Sequence, residues 1–308
     1  MADSFLALTD LTKINDANIA DIDVSDLLNK AILLQNLSAV TASNGDVHKY
    51  VKETGAPTVG YRAIDAGREM SKSADTVVTI NLKVLDASFR IDTALARAYK
   101  RGPDAYIARE AARHLREAFY HFETQIWYGS TDGDTGGFDG LIDDALLADL
   151  DTGVVIDAGG TAARTSIWLV KTGEENMSAV LGREGNIEID PTVIQQVQDG
   201  SSKHYGAYYT NVNAWTGIQI GSKWSVLRIA NVGDTVGTVT DDLIYSALEL
   251  APGPFDYVVM NRRSINQLRN SRTATNATGS PAPMPTDLEG IPILTVESLN
   301  NGETEVTA

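Results

Sequence analysis

No cysteine occurs among the 308 residues, so disulfides, thiolate metal sites and cysteine nucleophiles are excluded. Histidine is scarce: His48, His114, His121 and His204 are the whole supply. His114 and His121 lie seven apart on one predicted helix, about 10 Å along its axis, whereas a shared metal needs i, i+4 spacing. No G-x-S-x-G, P-loop or G-x-G-x-x-G run is present. No apolar stretch approaches the ~20 residues of a membrane span. The opening MADSFLALTDLTKIND lacks the basic start and apolar core of a signal peptide, which predicts synthesis in the cytoplasm. Positive charge is also short. Lysine plus arginine number 25 against 41 aspartates and glutamates, a net charge of −16. Such a chain repels itself and is a poor general binder of nucleic acid, although local basic stripes remain open.

What is present is ordinary globular material, 43% hydrophobic and 21% charged, in a length that suggests about two compact units. Residues 1–43 read as an arm rather than a domain. Their aspartates are scattered, and Ser25 caps a predicted helix over 25–40 whose apolar face carries Leu27, Leu28, Ala31, Ile32, Leu34 and Leu37. That face must dock on another domain or another subunit. Residues 44–92 read as a long two-stranded ribbon. Pro57–Ile64 forms one predicted strand, and Val78, Ile80, Leu82 and Val84 alternate with polar residues in the other. Between them, Asp65 to Asp75 is too long for a tight turn and forms the tip. A lone two-stranded ribbon is marginal in water and needs a support.

Residues 103–128 form the clearest helix. Pro103 sits in the first turn, Asp104 complements the dipole, and Gly129 stops the run. Ile107, Leu115, Phe119, Phe122 and Ile126 are expected on the core face. Arg109, Arg113 and Arg116 form a basic stripe beside it, either bridged to Glu110 and Glu117 or turned toward phosphate. Residues 130–160 hold eight aspartates and no basic residue. Asp132-Gly-Asp134 resembles the start of a calcium loop, but Asp143 stands where the twelfth-position glutamate belongs. A β-rich block over 163–232 precedes an α/β block over 233–308. The latter has Thr240 as a helix cap, a strand over 255–260, a helix over 264–271 and a closing strand over 291–296. No active site emerges. The arm, the ribbon and the overlong helix cannot satisfy themselves, which is the profile of an assembly subunit.

The order of several short blocks resembles one family. These are Thr54-Gly-Ala-Pro-Thr-Val-Gly-Tyr-Arg62, Val84-Leu-Asp-Ala-Ser-Phe-Arg-Ile-Asp92, Phe122-Glu-Thr-Gln-Ile-Trp-Tyr-Gly129 and Gly137-Phe-Asp-Gly-Leu141. Ile156-Asp-Ala-Gly-Gly160, Ser166–Val170, Val226–Asn231 and Glu289-Gly-Ile-Pro-Ile293 follow in order. Together they resemble the major capsid proteins of tailed bacteriophages, in the gene-seven-like subfamily. The resemblance implies an α+β capsid fold of the Hong Kong 97 type. It implies an N-terminal arm (1–43), an extended loop (44–92), a peripheral domain (93–232) on the spine helix 103–128, and an axial domain (233–308). Peripheral strands usually return after the axial domain. Here the chain ends soon after residue 296, so block 163–232 is expected to supply them early, in a permuted order.

The implied function is a structural, non-enzymatic subunit with no cofactor and no metal. It would assemble in the bacterial cytoplasm as pentamers and hexamers of an icosahedral shell around double-stranded DNA. The implied partners are further copies, a separate scaffolding protein, a portal and a decoration protein, with weak non-specific DNA contact and no membrane. Inter-subunit contact candidates are Leu28 and Ile32 on the arm and Tyr61, Arg62, Arg68 and Lys72 on the ribbon. Genome-facing candidates are Arg109, Arg113 and Arg116. Some relatives crosslink through lysine and asparagine. Lys72 is the only lysine between Lys52 and Lys83, and non-covalent contacts are expected. Two alternatives stay open: an encapsulin-like compartment around cargo protein, and a metal-assisted hydrolase using loop 132–144.

Overall fold

The computed structural model describes residues 31–182, 187–276 and 280–307. Its largest layer is a six-stranded sheet. It is built from β6 (Val155–Asp157), β7 (Thr165–Val170), β13 (Val226–Val232), β14 (Tyr257–Met260), β15 (Asp287–Leu288) and β16 (Ile291–Thr295), in the order β15-β16-β14-β7-β13-β6. All six residues of β7 and all seven of β13 are buried, which explains their near-continuous apolar sequence. Two helices cover the sheet: α3 (Asp241–Leu250) and α4 (Arg262–Ala274). Thr240 caps α3 by accepting the Leu243 amide at 3.2 Å, as its residue type predicts, and Asn261 caps α4 through the Ser264 amide at 2.9 Å. The sheet takes strands from both sides of residue 232, so the cut at 232/233 runs through one hydrogen-bonded layer.

The spine helix α2 (Pro103–Asp132) enters this core by its C-terminal half, through Phe122, Ile126, Trp127 and Tyr128. Trp127 stacks on Trp168 of β7, with ring centroids 5.8 Å apart. Its N-terminal half serves a second, smaller core. There Tyr106, Ile107, Ala111 and Leu115 meet Phe89 and Ile91 of β5 (Phe89–Asp92) and Leu95 and Ala96 of α1 (Thr93–Ala98). β5 belongs to a three-stranded sheet, β10-β11-β5, with β10 (Val193–Gln198) and β11 (His204–Thr210). Thirty residues at 1.5 Å each let one helix of ~45 Å tie the two cores together.

Phe119 departs from expectation: it is 42% exposed. It lies on the same side as Ala108, Ala112 and Arg116, which face solvent along the N-terminal half. The helix is enclosed on several sides only from Phe122 onward, so the apolar stripe read from the sequence is not one continuous contact. The stop at Gly129 is real as a break: its φ of 53° and ψ of −147° interrupt the helix, although a last turn follows to Asp132. A Cβ there would meet the Asp143 carboxylate and the Gly140 amide well inside contact distance, so only glycine fits.

A third sheet joins β1 (Ala39–Thr41), β8 (Met177–Leu181), β12 (Val212–Ile220) and β4 (Lys83–Asp86) in that order, with β9 (Glu188–Ile189) also on β12. The predicted helix over 25–40 is corrected here. Residues 25–30 lie outside the described residues. Of the rest, 31–37 make a single turn, with the Leu37 amide on the Leu33 carbonyl at 2.9 Å, and the chain is extended by Ala39. The β1–β8 pairing outcompetes further helix. The ribbon is confirmed as β2 (Val47–Gly55) against β3 (Ala74–Asn81), antiparallel, but the strand expected at Pro57–Ile64 is not formed. Residues 56–73 carry no strand pairing, and the paired strand is the segment before them.

Candidate assembly surfaces

The ribbon is rooted on the third sheet and exposed beyond it. At its base His48 Nε2 and Gln219 Oε1 are 2.8 Å apart, and the Tyr50 hydroxyl donates to the Ile220 carbonyl at 2.8 Å. Leu82 is buried with Ala42 and Val180. It approaches β12 closely at Gly217, where a Cβ would stand 2.6 Å from Leu82. Farther out, Val59, Tyr61, Ile64 and Met70 are almost wholly exposed. Arg62, Arg68 and Lys72 lie on the same exposed tip. Arg62 donates to the Ala66 carbonyl at 3.3 Å, Arg68 to the Thr58 carbonyl, and the Thr58 amide to Ser71 Oγ at 2.6 Å. The tip thus has a local shape of its own while four large apolar side chains remain uncovered.

Of the two arm candidates, Leu28 lies outside the described residues. Ile32 is half-buried against the main core of its own chain. The arm root is pinned by Glu123, a residue that helix periodicity alone does not single out. Its fully buried carboxylate accepts the Leu33 amide at 2.7 Å and the Ser298 hydroxyl at 2.5 Å, and Ser298 Oγ also accepts Trp127 Nε1 at 3.0 Å. Burial pushes the Glu123 carboxyl above its ordinary range, against the pull of those hydrogen bonds.

A second buried knot holds the C-terminal tail. Arg228 of β13 reaches Glu303 at 3.2 Å, Ser166 Oγ at 2.9 Å and the Leu147 carbonyl at 2.9 Å, and lies 5.1 Å from the Trp168 ring centre. The Tyr128 hydroxyl donates to Glu303 at 3.0 Å. The Asn231 side-chain amide donates from Nδ2 to the Val306 carbonyl at 2.9 Å and accepts the Val306 amide on Oδ1 at 3.0 Å, from a left-handed backbone with φ of 54° at the irregularity in β13. Arg228 and Glu303 are far apart in sequence, so no local pattern announces them.

The three helix arginines are not equivalent. Arg113 is bridged to Glu110 at 3.1 Å, Arg109 is half-buried, and Arg116 is exposed. His114 stacks on Phe89 at 5.0 Å. His121 lies 3.4 Å from Asp134. The aspartate loop is occupied with its own backbone. Asp143 Oδ2 accepts the Ser130 amide at 2.7 Å and the Gly140 amide at 3.0 Å, bracing the break at Gly129. Partial burial opposes its charge, yet hydrogen bonds from Thr131, Gly140 and Ser130 hold its carboxyl below the ordinary range. The Gly136 amide, and then His121, do the same for Asp134. The residues of the supposed calcium loop are therefore turn and helix-end acceptors. Among the described residues no three metal-ligating side chains gather, and no helix is long and apolar enough to cross a membrane.

The fold as a whole is similar to solved structures of bacteriophage particles. The structure of bacteriophage Epsilon15 is similar at a TM-score of 0.72 with 20% identity, covering 100% of this chain and 99% of that one. The capsid of bacteriophage JBD30 decorated with minor capsid protein trimers gives 0.52 with 12% identity, covering 94% and 98%. An encapsulin complex from Synechococcus elongatus PCC 7942 gives 0.48 with 9% identity over 73% and 96%, too weak a likeness to weigh. No curated protein matches. The fold is thus the capsid fold of the Hong Kong 97 type that the sequence blocks imply. The family model described as Major capsid protein GP7 matches residues 15–307, nearly the whole chain. The chain belongs to the Major capsid protein GP7 family, a family of structural shell subunits rather than catalysts.

Proposed function

We propose that this subunit assembles with copies of itself, as pentamers and hexamers, into an icosahedral virion shell that encloses double-stranded DNA. The observation that carries the reading, beside the family, is the ribbon tip. Val59, Tyr61, Ile64 and Met70 are uncovered by the described residues of their own chain and sit beside Arg62, Arg68 and Lys72. Each such side chain is worth about 1.5–3 kcal/mol when fully buried, so a neighbouring subunit gains by covering them. Residues 1–43 then act as the arm and the ribbon as the extended loop. The small core with β5, β10, β11 and the first half of α2 forms the peripheral domain. The six-stranded sheet with α3, α4 and the tail forms the axial domain. β10 and β11 precede the axial helices in the chain, which supports an early supply of peripheral strands. Scaffolding, portal and decoration proteins complete the particle, which forms in the host cytoplasm.

Electron microscopy of the purified chain tests the reading. Closed shells are expected from the wild type, and soluble folded subunits without shells after deletion of residues 66–74. Wild-type yields of shells from the deletion would overturn the role given to the tip. Among the genome-facing candidates, exposed Arg116 is the best placed, since Arg113 is already bridged to Glu110. Arg109→Glu with Arg116→Glu should leave shells intact and reduce packaged DNA; loss of assembly would make these arginines structural instead. Three phosphate contacts at most predict a log–log salt slope no steeper than about −2.7. Shells filled with protein cargo and free of DNA would return the compartment reading.

A further inference from the structure

Among the described residues, strand β10 is an open sheet edge of an unusual kind. It pairs with β11 on one side, and the order β10-β11-β5 ends at it. Proteins normally blunt such edges with charge or proline. The other edges do so or are very short: β2, β3, β4 and β5 carry lysine, arginine, aspartate or glutamate, and β1, β6, β9 and β15 span two or three residues. β10 reads Val-Ile-Gln-Gln-Val-Gln, six residues with neither charge nor proline. Ile194 is 61% and Val193 47% exposed. In a chain of net charge −16, a surface free of charge is where a copy meets its copy without repulsion.

We propose that β10 pairs antiparallel with β10 of a second copy across a two-fold axis through Gln195, joining two three-stranded sheets into one of six. The inference rests on the shell reading and names one of its contacts. A two-fold axis perpendicular to a sheet keeps each strand's faces, so residues that oppose each other must share parity. Centred on Gln195, Val193 opposes Val197 of the second copy twice, Gln195 opposes itself, and Ile194 opposes Gln196. The segment Val193–Val197 is self-complementary in that register, with an apolar pair on each side of a glutamine pair. Farther out, Asp190 of the second copy opposes Gly200, in the turn that carries Asp199 and Lys203, so no like charges stand directly opposite each other. The odd-numbered face also carries a shallow hollow of about 480 Å³ lined by Val193, Gln195, Tyr209, Asn211, Asp190 and Pro191. It stands directly over this edge, and the partner's strand extends its wall.

The absence of cysteine makes the test clean. Directly opposed residues of antiparallel strands have Cα atoms about 4.5–5.5 Å apart, within disulfide range. In assembled Gln195→Cys shells, mild oxidation should shift most subunits from the monomer to the dimer band on non-reducing gels. Gln196→Cys, displaced from its own copy by about two residues or 7 Å along the strand, should stay monomeric. Val193→Lys with Val197→Lys, in the Gln195→Cys background, should abolish the dimer band by opposing like charges. Val193→Glu with Val197→Lys should retain it and make it salt-sensitive. Shells of the Gln195→Cys variant that stay monomeric on oxidation, or shells of the Gln196→Cys variant that crosslink just as fully, overturn the pairing and leave the shell reading standing. Absence of shells from the wild-type chain overturns both.

Discussion

The six-stranded sheet and the ribbon are built from the same kind of backbone and live in opposite surroundings. β7 and β13 are sealed on both faces, and their side chains read as unbroken apolar runs apart from Arg228, Asn231 and the β7 hydroxyls, each of them hydrogen-bonded or enclosed. β2 and β3 mix lysine, threonine, glutamate and aspartate with valine, and leave Val51 and Val77 exposed. The sheet is stabilised by what its own chain packs on it. The ribbon has only one ladder of hydrogen bonds and its base contacts, and two strands alone are marginal. The difference separates stability from assembly: substitutions in the sheet should unfold the subunit, and substitutions in the ribbon should spare the subunit and damage the shell.

The largest expected effect tests the first half of that contrast. Trp168→Ala removes a fully buried ring that stacks on Trp127, and should cost about 3–5 kcal/mol in denaturant unfolding of the unassembled subunit. Next comes Glu303→Ala, which leaves Arg228 buried without its carboxylate. A loss of about 3 kcal/mol is expected, and Arg228→Met in the same chain should recover much of it. Recovery that fails would mean the tail is held by Asn231 and Tyr128 rather than by the charge pair.

A smaller effect is read through pH. The Glu123 carboxyl is raised by burial, so the folded state holds its proton where the unfolded chain has released it. Stability from this group is complete below the ordinary carboxylate range and declines as pH rises through the window between the unfolded and the raised folded value. Glu123→Gln keeps the acceptor for Leu33 and should remove that slope, leaving the subunit equally or more stable at neutral pH. Asp143 works in the opposite sense: its lowered carboxyl contributes above the unfolded range, and that contribution is lost as pH falls through the folded value. The smallest effect is expected in the ribbon. Val51→Thr should change subunit stability by no more than about 0.5 kcal/mol, as surface substitutions usually do. A drop of several kcal/mol would place the ribbon inside the folding unit.

Elements whose signal is local were legible in the residues. Pro103 and Gly129 bound the long helix, Thr240 marks the start of α3, and the alternation over 78–84 announces extended chain, which the structure divides between the end of β3 and the start of β4. Arg68 and Lys72 are expected at the ribbon tip and lie in an exposed unpaired segment, whereas Tyr61 and Arg62, expected in a strand over 57–64, lie in that same unpaired segment. Elements whose signal lies elsewhere in the chain were not legible. Leu37 and Val40 suit a helix by spacing, but β8, some 140 residues later, offers a parallel strand partner and the helix ends. Phe119 matches the apolar period, yet it falls where the helix crosses from one core to the other.

The residues alone thus carry the class of protein and the helix and strand types wherever caps and periodicity act over a few residues. Only the tertiary structure decided which carboxylates are buried, that Glu123 and Glu303 hold the arm root and the tail, that the aspartate loop braces a helix break, and that β10 is left as an uncharged edge. The reason is physical. Capping and periodicity depend on neighbours within a turn or two, whereas burial, pairing and edge position depend on residues brought together across the whole chain, and those terms outweigh local propensity wherever they compete.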